Sequence, residues 1–510
     1  MKRTLLLLLA FCISSVMFAD NFVMIKVKNQ QNLEDLFNRQ DINIHYYNDN
    51  FVLATSASMD GNMILLDENS FESDENYFIV YCNVSNQSEY ISREKNNAEV
   101  LYNDANILIV KSLNVNLKPA KNDGMIMITN KTAKLPKITR DFPNVTEEDE
   151  NVRGFMNDVN VDNLIATVQY LQDYQSRYYN SENAYAAADW IQAQFDEMLV
   201  LETEQFPFDW LGNECAPNVI AIQYGTKYPD EYVVCGSHLD SYSYSGMCPG
   251  ADDNATGVAS VIETARILSQ YSFERSIIYC AFGAEEIGLV GSAAYAEYCS
   301  EVMGYDIVGY FNNDMNGYLN PGDEIHIDLI YPNSVAPIGD YYMNVANVYF
   351  PEMQVRHVDF PYGDSDHTSF NQNGYMGIYP FEDYQNHSPY IHSGNDLIGP
   401  SVNSFEMSQR YTQMNVACVS TLAVLDSESV SEYEMNAVTM FPNPAQNTLE
   451  LTSEYSGNNK VQIISSLGQI VKEFSFESAT TVDIEDLNAG VYLVKISGEN
   501  AIIKKLVVKD

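Results

Sequence analysis

One pattern recurs through the middle of the chain: a short apolar run that ends on His, Asp or Glu. EYVVCGSH leads into His238-Leu239-Asp240, RSIIYCAFG into Glu285-Glu286, DIVGYFNN into Asp314, and MGIYPF into Glu382-Asp383, ten residues ahead of His392. Helical stretches lie between or before these runs, among them GVASVIETARIL, SAAYAEYCSEV and two longer ones from Asp162 to Met198. Such β-α-β alternation predicts an α/β domain with a mostly parallel central sheet flanked by helices. Ligands of open α/β sheets bind beyond the carboxyl ends of the strands. A carboxylate in that place stands beside a buried sheet, so it needs a partner or a cation.

The strand-end groups are imidazoles and carboxylates, with no thiolate among them. Between the first two runs, GADDNATG (250–257) forms a loop that opens a helix. An N/O donor set suits a borderline cation such as zinc. Two His and three or four carboxylates are enough for two cations that share a carboxylate, at about 3.5–4 Å, clamping a water and polarising a carbonyl. The Glu285-Glu286 pair then divides, one carboxylate ligating and its neighbour free to act as general base. Taken singly these motifs are ordinary: a Glu-Glu pair is usually a solvated face, and Asp and Asn cap helices well. Their ordered recurrence at successive strand ends is what carries the functional reading. Of seven His, His238, His367, His387 and His392 lie in or beside the motifs, whereas His45, His326 and His357 read as structural.

Met1 to Ala19 has the order of a secretory signal peptide: a basic start, an apolar run and a small residue before Asp20. Residues 20–150 alternate β-like runs with polar stretches and predict a β-rich accessory domain or pro-segment, with 136–152 reading as a linker. Residues 153–426 hold the α/β pattern, 427–438 are a second linker, and 439–510 form a small β domain. The chain has 70 Asp+Glu against 27 Lys+Arg, a net charge of −43. That excludes nucleic acid and anionic membrane surfaces as charge-driven partners. Residues 151–430 carry most of the excess, with 38 acids against 7 bases. No stretch after the signal is long and apolar enough to span a membrane. Seven Cys outside the signal, an odd number, are no disulfide framework, although Cys215 and Cys248 flank loops and could pair.

Residues ~155–425 resemble the secreted co-catalytic zinc aminopeptidases of the bacterial leucyl-aminopeptidase type. The resemblance rests on GSHLDSY (236–242), PGADDNATG (249–257), FGAEEIGLVGS (282–292), NNDMNGY (312–318), DSDHTSF (364–370) and YIHSGND (390–396), in matching order and spacing. It implies two zinc ions per chain, one on His238 and Asp314, the other on Glu286 and His392, with Asp253 bridging them. It further implies a cis peptide at Asp253–Asn254, Asp240 orienting His238, Glu285 as catalytic base, and Asp366 standing behind the ligands. Tyr362 would help hold the oxyanion, although Asp364 stands where the family has a Cys of the adjoining disulfide. Met315 and Phe381 would line an apolar pocket for the first side chain of a peptide or protein N-terminus. Activity on large apolar N-terminal residues is thereby expected.

Residues 439–510 resemble the type IX secretion sorting domain, on Phe441-Pro442-Asn443-Pro444, SSLGQIV (465–471), DIEDLNAGVYLVKI (483–496) and KKLVVKD (504–510). That resemblance implies the secretion machinery as a partner and export through the periplasm, with release or attachment at the cell surface. Three other readings compete. A glutaminyl cyclase on the same scaffold uses one zinc, whereas both ligand sets are present here. The related carboxypeptidase-type enzymes insert a lid domain between the last Asp and His ligands, which here are 78 positions apart. A non-catalytic binding module would have lost ligands, and none is lost.

Overall fold

The computed structural model describes residues 20–508 apart from 69, 72–75, 113–116, 120–123, 139, 244–245, 361–362, 427–437, 454–458, 466–469 and 498–500. The signal segment, Tyr362 and nearly all of the second linker lie outside the described residues. The chain divides into two compact units, Met1–Leu135 with Pro332–Ser334, and Pro136–Tyr331 with Val335–Asp510.

The second unit is built on an eight-stranded sheet. Its order is Gln354–Val358, His326–Ile330, Gly377–Phe381, Asp306–Asn312, Tyr228–His238, Arg275–Phe282, Asn218–Gln223, Glu202–Phe206. The strand Tyr228–His238 runs parallel to both neighbours, and Asp306–Asn312 is parallel to Gly377–Phe381. These central strands are buried over the stretches that lead to their carboxyl ends, which is why those stretches read as continuous apolar runs. Towards the edges the sheet is mixed: Asn218–Gln223 is antiparallel to both neighbours, and His326–Ile330 is antiparallel to Gly377–Phe381. Connection length explains the first case. A parallel return needs a crossover of a dozen or more residues; residues 224–227 provide only a turn, so Tyr228–His238 runs opposite to Asn218–Gln223, and Arg275–Phe282, parallel to the former, is antiparallel to the latter.

Helices cover the sheet. Asn160, Ser181 and Ser404 cap Val161–Gln172, Glu182–Asp196 and Phe405–Ala423 by accepting a backbone N–H within the first turn. The last is buried on most of its surface and packs on helices Glu150–Asn157 and Thr256–Leu268. Residues 136–149 also dock on this domain: Arg140 pairs with Glu231 (2.7 Å) and with Asp306, and the Val145 N–H donates to Asn344 Oδ1 at 2.8 Å.

The first unit is an internal duplication. Its two four-stranded antiparallel sheets share one strand order: Ile42–Tyr47, Phe51–Ser56, Asn21–Lys26, Met63–Asp67, and Ala98–Asn103, Ile107–Ser112, Asn76–Tyr81, Met125–Ile128. Each first strand is followed by a helix, Gln30–Phe37 or Val84–Glu94. Both copies shift register at the equivalent place, between Ile44 and Tyr46 and between Val100 and Tyr102. YNDNFVLATS (47–56) and YNDANILIVKS (102–112) carry the repeat in sequence.

At the C-terminus, a three-stranded and a four-stranded antiparallel sheet share one core of Leu449, Leu451, Val461, Ile463, Val494 and Ile496, a small β-sandwich. Cys215 and Cys248 are buried free thiols and are not paired with one another. Among the described residues no helix is long and apolar enough to cross a membrane.

Candidate metal centre

Five side chains from separate segments converge at the carboxyl ends of the parallel strands. His238 ends its strand, and Asp253 lies in Ala251–Ala255, which opens helix Thr256–Leu268. Glu286 follows strand Arg275–Phe282, Asp314 follows Asp306–Asn312, and His392 comes from the loop after Gly377–Phe381. They form two clusters that could each hold a cation, His238–Asp253–Asp314 and Asp253–Glu286–His392. Asp253 belongs to both. Its Oδ1 is 3.3 Å from His238 Nε2 and its Oδ2 is 3.2 Å from His392 Nε2. Asp314 Oδ1 stands 3.4 Å from His238 Nε2, and Glu286 Oε2 is 2.9 Å from His392 Nε2. The Asp253–Asn254 peptide is cis.

The residues fit a pair of cations. His238 Nε2 and Asp314 Oδ1 are buried, have no hydrogen-bond partner, and face one another. Buried polar atoms are almost always satisfied, so two orphans aimed at one point mark a place suited to a ligand. Charge agrees. Burial disfavours protonation of His238, yet Glu285 and Asp314 hold its imidazole well above the ordinary range; burial likewise opposes His392, which Glu286 and Asp253 hold up. Burial pushes the Glu286 carboxyl up to about 7, with Asp253 adding to it. Three carboxylates in a dry site call for positive charge, and an all-N/O donor set is suited to zinc.

The surrounding residues orient these groups. Asp240 Oδ1 lies 3.7 Å from His238 Nδ1 and accepts the Glu285 N–H (3.0 Å), while Oδ2 accepts the Glu286 N–H (3.4 Å). Through its carbonyl, which His238 Nδ1 meets at 3.2 Å, and its carboxylate, Asp240 ties an imidazole to the turn that carries both glutamates. Ser365 Oγ donates to Asp314 Oδ2 at 2.7 Å and accepts from Asn312 Nδ2 at 2.7 Å. Asp366, fully buried beside this chain, is pushed up to about 7, chiefly by burial, against the pull of His238. Glu285 belongs to neither cluster and is only partly buried. Desolvation, opposed by His238 and reinforced by Asp366 and Glu286, holds its carboxyl well above the usual range. Met315 and Phe381 fall in one apolar cluster with Ile330, Tyr379 and Ile391, next in the chain to Asp314 and His392.

His357 and His326 have partners outside the two clusters. His357 stacks on Tyr331 at 4.0 Å and bonds its carbonyl. His326 approaches Asp328 and Asp383, but the Arg356 guanidinium already occupies Asp328 at 2.5 Å, supplying the positive charge a metal would bring. Sequence reasoning did not single out Arg177 or Asp396, both wholly buried behind the Asp253 loop. The scarcity of bases, 7 in residues 151–430, is the one signal that points to Arg177.

Residues 218–411 match peptidase family M28, and residues 439–509 match a secretion system C-terminal sorting domain. The chain is similar to a probable aminopeptidase of Saccharomyces cerevisiae, 25% identical over 300 residues, covering 54% of this chain and 78% of that protein. It is also similar to a leucine aminopeptidase of Fusarium vanettenii, 25% identical over 326 residues, with 59% and 80% covered. In fold it is similar to LapB of Legionella pneumophila, with a TM-score of 0.56 at 18% identity over 69% of this chain and 100% of that one. The LapA aminopeptidase of the same organism gives a TM-score of 0.55 at 18% identity, over 69% and 99%.

Proposed function

We propose, from the match of residues 218–411 to peptidase family M28 and of 439–509 to a secretion system C-terminal sorting domain, that the chain is an exported di-zinc aminopeptidase. The observation that carries the reading is Asp253, whose two oxygens face two separate His-carboxylate clusters. His238 and Asp314 would hold one zinc, Glu286 and His392 the other, and Asp253 both. When bound, such a pair lowers the pKa of a water and polarises the scissile carbonyl.

The remaining work falls to the chain. Glu285 is a carboxylate beside the clusters, still partly open to solvent, with a raised proton affinity. It takes the proton of the attacking water and returns it to the leaving amine. Asp240 keeps Glu285 and His238 in register through its three contacts. A free substrate α-amine is cationic or a good donor and is favoured by these carboxylates, which directs cleavage to the N-terminal residue. Met315 and Phe381 offer that residue an apolar wall, favouring large apolar side chains. Residues 153–426 are the catalytic domain, and 20–150 an accessory unit that contributes none of the named ligands. The tail routes the chain through the periplasm to the secretion machinery.

Purified mature protein should release p-nitroaniline from Leu-p-nitroanilide, lose activity on chelation and regain it with zinc. Activity that persists after full metal removal would contradict the reading.

A further inference from the structure

The shared carboxylate sits on a loop, so its place between the clusters depends on what holds that loop. Residues 249–253 are held from two sides by opposite charges. On one side is Arg177, a wholly buried side chain. Its Nη1 donates to the carbonyls of Pro249 (2.6 Å) and Leu171 (3.0 Å), Nη2 to Gly250 (3.0 Å), and Nε to Leu239 (2.8 Å), the residue between His238 and Asp240. On the other side is Asp396, also wholly buried. Its Oδ1 accepts the Asp252 N–H at 2.9 Å, its Oδ2 the Asp253 N–H at 3.1 Å, and its backbone carbonyl the Ala251 N–H at 3.2 Å. The loop's carbonyls therefore end on a cation and its N–H groups on an anion.

Residue chemistry matches the geometry. Only a guanidinium carries a planar fork of donors wide enough for four carbonyls, and only a carboxylate accepts through both ends without donating. Gly250 confirms how tightly the fork is packed. Its φ is +59°, and a Cβ there would lie 2.8 Å from Arg177 Nη2 and 2.6 Å from both the Asp253 carbonyl and Ser241 Cβ. The two groups also join the ligand-bearing segments: Arg177 links the residue after His238 to the Asp253 loop, and Asp396 lies on the segment that carries His392.

We propose that Arg177 and Asp396 are positioning residues that set the Asp253 carboxylate between the two metal positions, so that binding of the metal pair depends on them. The inference rests on the two-metal reading above.

The test is a zinc titration of the metal-free full chain by calorimetry, together with the absorption spectrum of the cobalt-loaded protein. It compares wild type with Asp396→Asn, Arg177→Lys and Arg177→Met, with folding checked by circular dichroism. Wild type should bind two equivalents. Asp396→Asn and Arg177→Lys should stay folded, bind at least one equivalent about 10–100-fold more weakly, and show an altered cobalt spectrum. Arg177→Lys should recover part of what Arg177→Met loses; if Arg177→Met does not fold, the other two variants decide. Folded variants with wild-type affinity and spectrum, even with a lowered melting temperature, would make the clamp merely structural and overturn the inference alone. Fewer than two equivalents in wild type would overturn the two-metal reading and the inference with it.

Discussion

Two buried histidines, one in each unit, show how a structural polar group differs from a chemical one. His45, in the duplicated N-terminal unit, closes its hydrogen-bond account: Nδ1 meets the Lys131 carbonyl at 2.8 Å and Nε2 meets Thr55 Oγ1 at 2.9 Å. His238, in the α/β domain, leaves its account open. Its Nδ1 meets the Asp240 carbonyl at 3.2 Å, while Nε2 has no hydrogen-bond partner and faces two carboxylates. The duplication sharpens the contrast. The register shift that carries His45 recurs in the second copy with Leu101 in its place, so the fold can do without the imidazole there. A buried imidazole whose unmet nitrogen faces two carboxylates is placed for a cation rather than for packing.

The largest effect that should separate the two regions is Glu285→Gln. General-base catalysis contributes about 10²–10⁴-fold, so kcat should fall by that factor while zinc content and melting temperature stay at wild-type values. A variant with near-normal kcat would break the assignment of Glu285. Metal removal comes next and should act on one unit only. A ligand present at 1,000 times its dissociation constant stabilises its fold by about 4 kcal/mol. Chelation should therefore raise amide exchange in Tyr228–His238 and leave Asn76–Tyr81 unchanged, and a parallel rise in both would remove the distinction between them.

Leu108→Ala tests the reverse direction. Leu108 is fully buried in the second copy, and truncating such a side chain costs about 3 kcal/mol. The loss should appear in the N-terminal unit with kcat unchanged, because the named ligands and their supports lie between Leu171 and Asp396. A rise in kcat would instead identify residues 20–150 as a pro-segment.

How much of this is legible in the sequence follows from where each signal is written. His238, Glu285, Glu286 and Asp314 stand out because buried parallel strands are apolar to their ends, so a charge immediately afterwards is conspicuous. Asp253 and His392 lie in loops, and their roles were legible only through the family resemblance. Arg177 is invisible locally. QSRYY reads as the end of the helical stretch that begins at Asp162, whereas the helix stops at Gln172, and the burial of Arg177 arises only when the segments around Leu171, Leu239 and Pro249 close over it. The mixed edges of the sheet were hidden because apolar periodicity is blind to strand direction, which connection length governs. The duplication is written in two similar strings, but the helices that precede them share little sequence, and β-like periodicity alone does not reveal it.

The smallest expected effect is a pH dependence confined to the N-terminal unit. Burial holds the His45 imidazole below its ordinary value of 6.5, partly offset by the Lys131 carbonyl. The unfolded chain therefore takes up this proton at a higher pH than the folded one. The sign follows: His45's contribution is fully present above about pH 6.5 and is lost as pH falls from there towards the lower folded value. His45→Leu, which copies the residue of the second repeat, should remove that part of the slope while leaving kcat untouched. Amide exchange in Ile42–Tyr47, measured on both proteins at pH 7.5 and 5.5, reads it directly. Equal acid sensitivity in the two proteins would show that His45, despite its burial, does not couple this fold to pH. The contrast with His238 would then rest on hydrogen bonding alone.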